Sequence, residues 1–251
     1  MWHILSGSDA YFLDFNVLPI FNILVSRSLV RSDARYPEGQ DHVLRILFLI
    51  LPGIDCNDIK KTLNVFQLIS VFARLVPFKT RVKQHRHSKS EPSFCEFVGI
   101  FMDRCFSLIE NSSVELIRQE QSNADTCMSA EESSVNIGIV TCFDSILHQA
   151  DQQIKTLAVG KLQNFLLGRI FEPKVAGKIV SGMCRTCAKI WPEKILESLI
   201  PRTCQTLLDG LGEIDLKTDL YLGDEIMFNL LLLSDLVCVP GFYLLHYLRQ
   251  V

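Results

Sequence analysis

Apolar residues recur every three or four positions along nearly the whole chain, and nowhere is the strict alternation of a β-strand sustained. Ile59, Leu63, Phe66, Ile69, Phe72 and Leu75 form one such row. Phe94, Val98, Phe101, Cys105 and Leu108 form a second, and Val175, Ile179, Met183, Cys187 and Ile190 a third. Each row lines one side of an α-helix, so the spacing predicts an all-α fold. Helices are expected near 41–51, 57–76, 93–110, 129–149, 152–170, 173–189, 193–209 and 223–237, with one more within 14–29. Most links between them are short, which makes successive helices antiparallel neighbours.

The breaks are as informative as the helices. Leu51-Pro52-Gly53-Ile54-Asp55 closes one helix and opens another, with Asp55 or Asn57 as the N-cap. Glu172-Pro173 and Trp191-Pro192 separate tightly spaced helices, because a proline in the first turn lacks only an N–H that would be unpaired there. Loops are expected near 78–92, 111–126 and 210–222, the second of them being a loop or a weak helix. Ile154 and Ile195 lie about 41 residues apart, each in a helix followed by another, which is the two-helix repeat length of HEAT and armadillo arrays. Pro201 falls inside a helical apolar pattern, as in the kinked first helices of HEAT repeats. A generic helical bundle has the same periodicity, so the period alone leaves both open.

Composition narrows the function classes. Of the 251 residues, 48% are hydrophobic and 21% charged, enough to bury a substantial core. The formal net charge of -3 gives no global attraction to nucleic acid or to an acidic membrane. The nine cysteines are odd in number and sit mostly in apolar helical rows, which reads as buried free thiols in a reducing compartment. Met1 to Val25 is apolar but has no Lys or Arg ahead of the apolar run, unlike a signal peptide. Met227 to Leu245 is the most apolar long run, yet Asp235 near its middle would cost about 2.5–3.5 kcal/mol on membrane insertion, and Pro240-Gly241 interrupts it. It is expected to be a buried core helix followed by a turn.

Chemical motifs are sparse. Cys184-Arg185-Thr186-Cys187 is a CxxC, but Cys204 has no partner at zinc-site spacing, so both thiols are assigned to the core and no metal or cofactor is expected. His148 ends a helix, where a solvated imidazole suits the negative end of the dipole. No Gly-rich phosphate loop, HExxH or GxSxG is present, and no catalytic set is expected. The local charge feature is the loop carrying Lys79, Arg81, Lys83, Arg86 and Lys89, with His85 and His87 among them and no acid between Lys79 and Ser90. Such a run serves polyanion binding or nuclear targeting, or is simply a solvated loop.

The wording of the helices is more specific than their period. LPGIDCNDIKKTLNVFQLISVFARLVP (Leu51 to Pro77), FVGIFMDRCFSLIENSS (Phe97 to Ser113), IFEPKVAGKIVSGMCRTCAKIWPEK (Ile170 to Lys194) and MFNLLLLSDL (Met227 to Leu236) resemble the large HEAT-repeat proteasome activators, in the same order and at similar spacing. The resemblance covers about residues 38–238, leaving 1–37 as a poorly matched segment ahead of a solenoid segment over 38–251.

That resemblance implies an α-solenoid of HEAT-like antiparallel helix pairs, and a non-catalytic scaffold. Family members cap the proteasome core particle without ATP and promote degradation of peptides and of acetylated or unfolded proteins. It implies a nuclear and cytoplasmic setting, with links to DNA repair and spermatogenesis, and inositol phosphate as a ligand of the family. Acetylated histones would be partners only through a bromodomain-like part of the family architecture lying outside these residues. The family's C-terminal docking tail, with a tyrosine next to the last residue, is not matched by Leu248-Arg249-Gln250-Val251. Neither a membrane nor direct nucleic-acid contact is expected. The alternative is another HEAT scaffold, such as a transport receptor or a regulatory subunit, with no proteasome role.

Overall fold

The rows of apolar residues are realised as eight α-helices, one 3-10 turn and no strand among the described residues. The computed structural model describes residues 39–76, 78, 93–121, 130–149, 151–167, 169–213 and 220–239. The helices are α1 (Gly39–Ile50), α2 (Ile59–Leu75), α3 (Phe94–Gln121), α4 (Ala130–Leu147), α5 (Gln152–Leu166), α6 (Ala176–Ile190), α7 (Pro192–Glu213) and α8 (Leu220–Val237). They divide between two compact units, one holding residues 1–108 and 128–161, the other 109–127 and 162–251. The helix expected within 14–29 lies outside the described residues.

In the first unit, Pro52 opens the 3-10 turn Leu51–Gly53 that ends α1. Thr62, fully buried, ties this turn to α2. Its hydroxyl accepts from the Asp55 amide at 2.9 Å and lies 2.8 Å from the Asp55 carbonyl. The N-cap of α2 is Asp58, whose carboxylate accepts from the Lys61 amide at 3.0 Å, rather than Asp55 or Asn57. Asp55 instead closes a local turn, accepting from the Asn57 amide at 3.0 Å. The choice follows from reach, since a cap must stand immediately before the first helical residue. Ser93 caps α3 by accepting from the Glu96 amide at 3.1 Å.

The core of this unit is a ladder of aromatic rings. Phe97 stacks on Phe94 and Phe101 with centroids 5.6 and 6.1 Å away, and meets Phe48 of α1 edge-on at 5.8 Å. Phe101 in turn meets Phe66 of α2 edge-on at 6.4 Å. Helix α4 packs beside α2 and runs in the same direction. Phe66 faces Gly138 and Cys142, while Ala73 and Val76 face Gln149. The approach is close enough that a Cβ on Gly138 would lie 2.8 Å from Phe66 Cδ2, so glycine is what lets the two axes approach here.

In the second unit, α6, α7 and α8 pack on one another. Pro173 sits in the turn before α6 rather than in its first helical turn. Glu172 orders that turn: its carboxylate accepts from the Lys174 amide and, at 2.9 Å, from the Val175 amide, while the N-cap residue Val175 makes no side-chain cap bond. Only Trp191 separates α6 from α7, and Pro192 is the first residue of α7, as its missing N–H favours. Pro201 is inside α7.

One expected loop is shorter than its composition suggested, and the stretch 111–126 takes its weak-helix alternative as far as Gln121. Helix α3 continues through most of 111–126 as far as Gln121, and α7 reaches Glu213 while α8 begins at Leu220. Glu115 to Gln121 is rich in good helix formers, Glu, Leu, Arg and Gln, so its polar residues do not break the helix.

Candidate interaction surface

The positions flanking the basic segment meet in a closed stem. The five cationic residues of that segment, Lys79, Arg81, Lys83, Arg86 and Lys89, lie outside the described residues; the positions flanking them do not. Phe78 and Phe94 stack with ring centroids 4.1 Å apart and planes 9° from parallel, so the positions on either side of the basic segment lie against each other.

Gln149 holds the outgoing strand of that stem. Its amide nitrogen donates to the Ala73 carbonyl and, at 3.0 Å, to the Val76 carbonyl, and its oxygen accepts from the Phe78 amide at 3.1 Å. Within a helix the Ala73 carbonyl would accept from residue 77, which is a proline without an N–H. A side chain from the end of α4 therefore supplies the donor that the sequence of α2 withholds. Arg74 adds a second tie between these helices, donating to Ser145 Oγ at 2.9 Å and lying 3.5 Å from Asp144. His148 is exposed, with Nδ1 2.8 Å from the Asp144 carbonyl, consistent with a solvated helix end.

The CxxC cysteines sit on the packed side of α6. Cys184 and Cys187 are both buried, and no group of three His, Cys, Asp or Glu able to hold a metal occurs among the described residues. Burial lifts the Cys184 thiol to about 12, with the nearby Asp235 carboxylate adding to the rise. In the first unit, burial lifts Cys142 to about 12 as well, and its Sγ donates to the Phe66 carbonyl at 2.9 Å. A raised thiol pKa means that the folded state holds its proton more tightly than the unfolded state. This stabilisation is complete below the ordinary thiol pKa of about 9 and is lost as pH rises towards 12. The expected result is progressive loss of thermal stability above about pH 9, with Cys184→Ala losing less over that interval than wild type. Melting followed by circular dichroism at stepped pH checks this; an equal alkaline loss in both proteins would contradict it.

Beside Cys184, a polar seam joins α6 to α8. Ser181 Oγ donates to Asp235 Oδ2 at 2.6 Å, and Arg185 lies 3.5 Å from the other carboxylate oxygen. Asp235, the residue that disfavours a membrane-spanning reading, is thus used in helix pairing. No helix among the described residues is long and apolar enough to cross a membrane. The expectation of a buried helix needs correcting, however. α8 buries Ile226, Phe228, Leu232 and Leu236, but Met227, Leu230 and Val237 are 55%, 46% and 47% exposed. Helices α6 and α7 cover only part of its circumference, and hydropathy summed along a run does not report on which side neighbours stand.

Sequence reasoning missed both Gln149 and this outer stripe. The one local hint at Gln149 was Pro77 at the end of α2, which announces a carbonyl in need of a donor.

Comparison with known proteins completes the description. A family model of the mid HEAT-repeat region of proteasome activator complex subunit 4 matches residues 18–92 and 85–250, a span wider at both ends than the resemblance over 38–238. Proteasome activator complex subunit 4 of Homo sapiens is 38% identical over 238 residues, covering 90% of this chain and 13% of that protein. Subunit 4A of Danio rerio is 37% identical over 239 residues, and the Xenopus laevis protein is 36% identical over 238 residues, with the same coverage. The chain therefore spans about 13% of the length of these relatives.

Proposed function

The chain belongs to the proteasome activator complex subunit 4 family, in its mid HEAT-repeat region, and from that premise we propose that it is a non-catalytic scaffold segment of an ATP-independent activator of the proteasome core particle. The observation that carries this reading is the match over nearly the whole chain to a HEAT region of proteins named for proteasome activation. The all-α fold supports it: within the first unit α4 packs beside α2, within the second α8 packs beside α6, and polar side chains serve that packing. On this reading the chain acts through surface contact. On this reading the core particle is the partner, the substrates are peptides and acetylated or unfolded proteins, and the setting is nucleus and cytoplasm.

A HEAT segment works by extending a binding surface, and each repeat adds only its own share of contacts. This chain has the length of 13% of its relatives, and interface energy concentrates in few residues. Added in excess to purified core particle, the chain alone is expected to leave hydrolysis of a fluorogenic peptide at its basal rate. A rise matching that given by a full-length relative would show that the activity resides in this segment and that the scaffold reading is wrong.

A further inference from the structure

We draw no further inference here: the strongest candidate, the exposed apolar stripe of Met227, Leu230 and Val237 along α8, carries none because nothing among the described residues shows what covers it.

Discussion

Replacing Phe97 with alanine is expected to destabilise the first unit by about 3–5 kcal/mol, the largest loss for any single truncation here. Phe97 is fully buried and in contact with three other rings, Phe48, Phe94 and Phe101, so its removal opens a cavity bordered on several sides by rigid rings. Rings cannot collapse into such a space without leaving their own partners, which places the site at the costly end of the cavity range. In a protein of this size the melting midpoint should fall by roughly 6–20 °C. Phe97→Leu, which keeps most of the volume, should lose clearly less. Ile137→Ala, at a position 68% exposed, should change stability by no more than about 0.5 kcal/mol. Thermal and urea unfolding of the three variants give the comparison; equal losses at positions 97 and 137 would refute the ring-ladder core.

Gln149→Leu is expected to have the next largest effect, and for a different reason. The substitution preserves approximate volume but leaves the Ala73 and Val76 carbonyls and the Phe78 amide without the partner that now serves them. A buried polar group left unpaired costs about 1–3 kcal/mol, and these three will not add in full because they share one side chain. A loss of roughly 3 kcal/mol is expected, together with faster hydrogen exchange at the Phe78 amide. Gln149→Glu separates hydrogen bonding from shape. Its carboxyl can donate only while protonated, so this variant should approach wild type at acid pH and fall behind as the acid ionises. A Gln149→Leu variant as stable as wild type, with unchanged exchange at Phe78, would show that the side chain is dispensable to the stem.

What could be read in the sequence divides along the range of the forces involved. Helix positions followed from local periodicity, and Phe94, Val98, Phe101, Cys105 and Leu108 are all buried as their spacing requires. Pro192 marked the start of α7 because its effect acts within one turn. The buried arc of α2 was read slightly off centre. Ile59, Leu63 and Leu75 are only half-buried, whereas Thr62, Val65 and Ala73 complete the packed face. Apolarity alone could not find Thr62, whose hydroxyl is satisfied by the preceding turn. Gln149 was out of reach for a stronger reason, since its partners lie more than 70 positions away and a glutamine in sequence carries no sign of them. The outer stripe of α8 escaped because apolar residues on its covered and uncovered sides are chemically alike. The family was legible only through the specific wording of the motifs, because HEAT helices of unrelated purpose share the same period.

The most direct test is a chimaera. The matching mid HEAT segment of human proteasome activator complex subunit 4 is exchanged for this chain, and the purified product is added to core particle with a fluorogenic peptide. Stimulation within a few-fold of the unaltered human protein is expected, because a scaffold segment of the same family should carry the same stacking surfaces. A chimaera that melts at the temperature of its parent yet leaves hydrolysis at the basal rate would contradict it.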